Sequence, residues 1–353
     1  MKIISIIGAR PQFIKCAPLS RAIRKEHEEI LMHTGQHYDP EMSTIFFKEL
    51  QIPEPDYNLG IGSGSHGNQT GKMLVKIEKL LYKEKPDLVL VYGDTNSTLA
   101  GALAASKMHM RVAHVEAGLR SFDRTMPEEI NRVLTDHISD LLFCPTETAV
   151  LNLEKEGIKT GVYNVGDVMC DALKYNLEIA EEKAAVLEEL GLTSSEYMVA
   201  TIHRASNTDN FENLSSIVNA FCDADISIVF PVHPRTEKYL KQYDLWDKLS
   251  QKVKVVPPLG YLEMLKLMAH ARKILTDSGG VQKEAYMLGV PCITMRENTE
   301  WVETVEDGGN VLVGVDYESI MGGILNFEGT KVKGHIFGNG DAAKRICEIL
   351  KND

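Results

Sequence analysis

Short, almost wholly apolar runs alternate along the chain with longer stretches whose apolar residues recur every three or four positions. The runs are "KIISIIG", "EEILMHTG", "DLVLVYG", "RVAHVEAG" and "LLFCPT", then "YMVATIH", "ISIVFPVH", "VKVVPP", "KILTDSG" and "PCITM". They lack the strict alternation of a sheet with one wet face, so they predict parallel strands buried on both faces. Segments such as "NQTGKMLVKIEKLLYKEK" and "YLEMLKLMAHARK" carry the helical period between them. Repeated strand–helix units predict an α/β protein with doubly wound sheets. The charged helical stretch "ALKYNLEIAEEKAAVLEELGLTSSEY" interrupts the strand series. It predicts a join near residue 180 between domains 1–180 and 181–353, with the last helix, "GDAAKRICEIL", able to pack back on the first domain.

Parallel α/β sheets bind ligands beyond the carboxyl ends of their strands. Arg10, Gln36, His37, Asp94, Glu116, His203, His233 and Asp277 all fall there, which predicts one cleft between two facing domains. In "ILTDSGGVQKEAYMLGVP" a strand ends, glycines follow and a helix is expected from about Val281. Ser278, Gly279 and Gly280 can aim backbone N–H groups and the positive helix end at a phosphate, with Glu284 available to ribose hydroxyls. The plainer reading is a Ser/Gly helix cap with an exposed Glu. "GARPQFIK" offers Arg10 and Lys15 at a helix start, either an anion site or a surface loop, and Arg296 after "PCITM" is equally open. His203 and His233 stand just past second-half strands, where imidazole can support phosphate charge or carry a proton. Asp94 suits a cap for a helix beginning near Ser97, and Glu128 and Glu129 suit the first turn of a helix opened by Pro127. Glu116 fits neither account. Carboxylates in unlike environments are what general acid–base chemistry requires.

A net charge of −12 over 353 residues excludes a general nucleic-acid or anionic-membrane binder,. Cys16, Cys144, Cys170, Cys222, Cys292 and Cys347 are scattered without a C-x-x-C pair. They point to reduced thiols rather than a metal cluster. No apolar run approaches the roughly 20 residues of a membrane span, and the expectation is a soluble cytoplasmic protein.

Together "GARPQFIK", "TGQHYD", "GDTNST", "HVEAGLRS", "MPEEINR", "TIHRASN" and "TDSGGVQKEA" resemble the non-hydrolysing UDP-N-acetylglucosamine 2-epimerase family from Met1 to about Gly314. The resemblance implies two Rossmann-like domains facing a central cleft, as in GT-B glycosyltransferases, a UDP-sugar substrate and a homodimer. It also implies that the C2 proton is removed while UDP leaves C1, giving a 2-acetamidoglucal to which UDP re-adds. No nicotinamide or metal cofactor is implied. By motif, Asp94, Glu116 and Glu128 become acid/base and positioning carboxylates, and His203 supports the departing diphosphate. Arg10, Lys15, His233, Ser278, Gly279, Gly280, Glu284 and Arg296 line the nucleotide site, with Leu259 and Met264 near uracil. Trp301 stands where many bacterial members have an arginine, and "HRASN" replaces H-R-R-E-N. Tyr38 and Asn68 replace arginines of the bacterial allosteric site, so that site is not expected in its bacterial form. "TEWVE" and "GARPQFIK" also resemble relatives acting on UDP-2,3-diacetamido-2,3-dideoxy-glucuronate. A GT-B glycosyltransferase is the more distant alternative, and the three carboxylates favour the epimerase over it.

Overall fold

A computed structural model describes residues 1–36, 53–330 and 336–352, with the backbone alone at Arg10. The chain divides into two compact units, Met1–Lys174 with His335–Asp353, and Tyr175–Gly334.

The first unit runs β1 (Lys2–Ile7), α1 (Arg10–Ile23), β2 (Glu28–His33), β3 (Tyr57–Asn58), α2 (His66–Glu84), β4 (Leu88–Tyr92), α3 (Asn96–Lys107) and β5 (Arg111–Val115). It continues with α4 (Pro127–His137), β6 (Leu141–Cys144), α5 (Glu147–Lys155) and β7 (Val162–Asn164). Helices α6 (Val168–Lys183) and α7 (Val186–Glu189) lead out of this series. The seven strands are parallel in the order β3-β2-β1-β4-β5-β6-β7. Every residue of β4 is buried, as a strand covered on both faces must be,.

The second unit contains β8 (Tyr197–Thr201), α8 (Ala205–Thr208), α9 (Phe211–Asp223), β9 (Ser227–Pro231), α10 (Pro234–Gln242), α11 (Trp246–Lys252) and β10 (Lys254–Val256). After these come α12 (Tyr261–Ala269), β11 (Lys273–Thr276), α13 (Gly279–Leu288), β12 (Cys292–Thr294), α14 (Val302–Glu306), β13 (Asn310–Leu312) and α15 (Tyr317–Asn326). Its sheet is also parallel, in the order β10-β9-β8-β11-β12-β13. The last helix, α16 (Ala342–Asn352), belongs to the first unit and packs on α1, with Lys351 Nζ 2.5 Å from Glu26. No helix among the described residues is long and apolar enough to cross a membrane.

The doubly wound α/β expectation holds, with three strands added. β3, β7 and β13 have only two or three residues each, mostly half-buried or exposed, and they close sheet edges. The strand order reverses between β1 and β4 in one sheet and between β8 and β11 in the other. Reversal leaves a crevice at the carboxyl ends of those strands, and that is where the polar residues of interest stand.

Candidate active site

At the first reversal β1 delivers Gly8 and Ala9, and β4 delivers Gly93 and Asp94. Gln12, buried in the first turn of α1, joins the two strand ends. Its side-chain oxygen accepts from Gly8 and Ala9 N at 2.8 and 3.0 Å, and its amide donates to Tyr92 O at 2.8 Å and Thr98 Oγ1 at 3.0 Å. One turn further along α1, Lys15 forms an ion pair with Glu116 just beyond β5. Glu116 has φ +72°, a left-handed conformation a non-glycine residue rarely adopts, and strain of this kind clusters at functional sites. Beneath the pair lies Gly93, also left-handed at φ +61°. A Cβ there would sit 3.3 Å from both Glu116 Oε2 and Lys15 Nζ.

Asp94 is not a helix cap. Thr95 caps α3 by accepting from Thr98 N, and the helix starts at Asn96. Asp94 is gripped instead by Arg132 of α4, whose Nε and Nη2 lie 3.0 and 2.7 Å from Oδ2. The same guanidinium reaches Glu129 Oε2 through Nη1 at 2.9 Å. Asn131 Nδ2 donates to Asp94 O at 2.8 Å. The structure separates the paired glutamates of α4. Glu129 is buried and accepts from Ser121 N at 2.9 Å and Phe122 N at 3.0 Å. Burial works against its charge, yet the Ser121 N–H and Arg132 hold its carboxyl below the usual range. Glu128 is exposed. Of the three carboxylates, one is therefore held by arginine, one by lysine, and one is open to solvent.

At the second reversal Asp277, fully buried, organises the loop after β8. Its carboxylate accepts from His203 N at 3.1 Å, Arg204 N at 3.0 Å and Asn207 Nδ2 at 3.1 Å. This aims the half-exposed His203 outward, with Nδ1 3.5 Å from Asp277 Oδ1. His233 stands beside it, ring centroids 5.8 Å apart. It caps α10 by accepting from Arg235 N on Nδ1 at 3.1 Å. Burial lowers its pKa, and His203 and Arg235 add to the effect. Its proton then sits on Nε2, so His233 offers a neutral donor rather than a charge.

Helix α13 begins at Gly279, not near Val281. Ser278 Oγ accepts from Val281 N, so the plain capping role is real, while Gly280 is exposed and an added Cβ would meet only Ser278 Oγ, at 3.9 Å. A Cβ on Gly279 would fall 2.1 Å from Glu300 Oε1. Glu300 thus lies against the helix start, bonded by Arg296 Nη1 at 2.9 Å and approached by Arg204 Nη2 at 3.6 Å. Glu284 is half-buried in the second turn. Leu259 and Met264 are half-buried against the cluster that includes Tyr197, Leu267 and Ile274. Trp301 is nearly buried, with Lys283 Nζ 4.2 Å from its ring centroid.

The structure brings together Lys15, Glu116 and the Gly93–Asp94 turn in one unit, with Glu128 exposed on the helix whose Arg132 grips Asp94, and His203, His233, Ser278, Gly279, Gly280 and Arg296 in the other. Lys15, expected on the nucleotide, is placed on Glu116. Arg10's side chain, His37 and Tyr38 lie outside the described residues, and Gln36 is used in holding Ser97, accepting from its N at 3.0 Å. Sequence reasoning missed Gln12, Arg132, Arg204 and Glu300. Arg132 closes the "MPEEINR" motif four residues after Glu128, the helical spacing that could have exposed it. Among the described residues no group of three or more His, Cys, Asp or Glu side chains is arranged to hold a metal ion.

Two doubly wound parallel sheets, each with charged groups at its strand-order reversal, define a GT-B-like enzyme, and the solved structures it matches include UDP-GlcNAc 2-epimerases. The sequence model described as UDP-N-acetylglucosamine 2-epimerase matches residues 21–351. A UDP-N-acetylglucosamine 2-epimerase homolog of Methanococcus maripaludis is 61% identical over the full length of both chains. The UDP-2,3-diacetamido-2,3-dideoxy-D-glucuronate 2-epimerase of Pseudomonas aeruginosa is 51% identical over 99% of each. The crystal structure of the Methanocaldococcus jannaschii UDP-GlcNAc 2-epimerase in complex with UDP-GlcNAc and UDP is 52% identical, covers all of both chains and superposes with a TM-score of 0.87. The chain belongs to the UDP-N-acetylglucosamine 2-epimerase family.

Proposed function

We propose that the protein interconverts UDP-N-acetylglucosamine and UDP-N-acetylmannosamine. A carboxylate takes the C2 proton, the C1–O bond breaks with its electron pair leaving on UDP, and a C1=C2 double bond forms. Re-addition of UDP oxygen to C1, with a proton delivered to the other face of C2, gives the epimer. The observation that carries the reading is that Glu116 at the first strand-order reversal is held by Lys15, Asp94 beside it by Arg132, and Glu128, on the helix that carries Arg132, is exposed, so the three carboxylates have different environments. Such inequality is what two-sided proton transfer needs. Lys15 orients and neutralises Glu116, and Arg132 does the same for Asp94. In the second unit the start of α13, with Ser278, Gly279 and Gly280, receives the diphosphate. His203 and the Nε2–H of His233 stabilise the charge that grows on departing UDP. Arg10, Arg296, Glu284, Leu259 and Met264 complete the nucleotide contacts. The reading carries with it a homodimer in the cytoplasm, the dimer being checked by light scattering.

A second substrate is favoured by one observation. The diacetamido-glucuronate epimerase is 51% identical, level with the 52% of the M. jannaschii enzyme. Proton NMR of the protein with UDP-N-acetylglucosamine in D₂O tests both. The manno epimer carrying deuterium at C2 supports the first reading. No exchange there, with exchange on the diacetamido-glucuronate nucleotide, moves the assignment to the second, and silence on both overturns the epimerase chemistry.

A further inference from the structure

His114, in the interior strand β5, is fully buried and has no role in the chemistry above. Its Nε2 lies 2.7 Å from Gly93 O and its Nδ1 lies 2.7 Å from Asp136 Oδ1. A peptide carbonyl has no proton to give. Asp136 Oδ2 is already occupied, accepting from Gly118 N at 3.1 Å and from Arg120 Nη1 at 2.7 Å. Burial pushes the Asp136 carboxyl up, but His114 and Arg120 hold it below the usual aspartate value, so it is ionised. Both ring nitrogens therefore face acceptors, and only the doubly protonated imidazolium can donate to both. A neutral ring would turn a lone pair toward an oxygen at hydrogen-bond distance, leaving that buried acceptor without its donor.

The network extends beyond Asp136. Arg120 forks onto Glu156 through Nε and Nη2 at 2.7 and 2.8 Å, and His137 Nε2 lies 3.2 Å from Glu156 Oε2. A continuous chain therefore runs Gly93 O–His114–Asp136–Arg120–Glu156. Its upper end is the Gly93 peptide. That glycine's N donates to Val115 O at 3.0 Å, so both of its backbone groups are tied to β5. Gly93 forms the floor under Glu116 and Lys15 and leads directly into Asp94.

We propose that His114 is a positioning residue, donating from both ring nitrogens, whose two hydrogen bonds fix the Gly93–Asp94 turn against Glu116. The positioning half rests on the proposed epimerase reading; the charge half does not. The charged groups that bear on the ring are Asp136 directly, Arg120 through it, and Lys15 with Glu116 across Gly93.

Nitrogen-15 NMR of the histidine-labelled protein tests the charge. The His114 signals are assigned by their loss in His114→Gln, or by their shift in Asp136→Asn should the glutamine variant not fold. Expected at neutral pH are two ring nitrogens in the protonated range, each with an attached proton. One unprotonated nitrogen overturns the assignment. Kinetics of His114→Gln test the positioning. A small displacement of the turn should lower kcat by about 100-fold, while KM stays within about twofold because the nucleotide is held by the other unit. A folded variant with lower melting temperature but kcat within about threefold of the parent has only lost stability, and overturns the positioning role. A parent protein without epimerase activity on either nucleotide defeats the functional reading and the positioning half with it, while the NMR result still decides the charge.

Discussion

Replacing Gly93 by alanine separates a backbone effect from an effect on the site. At φ +61° an alanine costs about 1–2 kcal/mol, because its Cβ crowds the following carbonyl. The same cost arises at Gly157, in the same unit, where φ is +86° and an added Cβ meets nothing within 4 Å. Both variants should therefore melt lower, by roughly 2–4 °C for each kcal/mol in a unit of this size. Any gain from a stiffer unfolded chain is common to both. The difference lies above the backbone. At Gly93 the new methyl would sit 3.3 Å from Glu116 Oε2 and from Lys15 Nζ, inside the roughly 3.5–4.0 Å of a comfortable contact. One of the two must move, and their ion pair must open or tilt. Misplacement of a catalytic group by a fraction of an ångström to an ångström costs about 10- to 100-fold in rate. The assay is C2 deuterium exchange and epimerisation in D₂O, with kcat and KM for both variants and thermal melts alongside. Equal stability losses with a rate loss confined to Gly93→Ala are expected. Gly93→Ala turning over as fast as Gly157→Ala would refute the reasoning, because Lys15 and Glu116 would then have no part in the slow step.

Glu116→Gln and His203→Ala should leave the melting profile near that of the parent and lower kcat by about 100-fold or more, the usual scale for a lost acid–base or charge-stabilising group; a near-normal rate in either removes that residue from the chemistry. Arg132→Lys should fail to restore what Arg132→Met loses, since a single ammonium cannot reproduce the fork between Asp94 and Glu129,. Lysine kinetics matching the parent would show that the fork is dispensable. Asp171 accepts from Ala342 and Ala343 N at 3.1 and 3.0 Å at the start of α16, yet burial pushes its carboxyl up to about 6. The folded state then keeps a proton there that the unfolded chain has lost, so stability falls as pH rises from about 4 to about 6, by at most about 3 kcal/mol before solvent screening. Urea midpoints across this window should be flatter in Asp171→Asn; an unchanged slope would place the titration elsewhere.

Where the sequence could be read and where it could not follows from the range of each interaction. Strands such as β1, β4 and β11 are visible because burial on both faces demands an unbroken apolar run, and a run is a local property,. β3, β7 and β13 are not, since their residues are mostly half-buried or exposed and form no apolar run of their own, so pairing with a neighbour defines them,. The same division applies to the site. Carboxylates and histidines at strand ends could be marked one at a time, because the doubly wound fold states where strand ends go. Their partners depend on which strands become neighbours. Lys15 meets Glu116 because the β1–β4–β5 order puts the start of α1 beside the end of β5. Arg132 meets Asp94 only after α4 settles next to α3. His114 is the clearest instance. In sequence it is one more polar residue in "RVAHVEAG" and carries no motif of its own. Its meaning is fixed by two acceptors contributed by Gly93, 21 residues before it, and Asp136, 22 residues after it. Residues that touch a ligand can be guessed from composition at a strand end, whereas residues that hold those groups in place are defined by tertiary pairing.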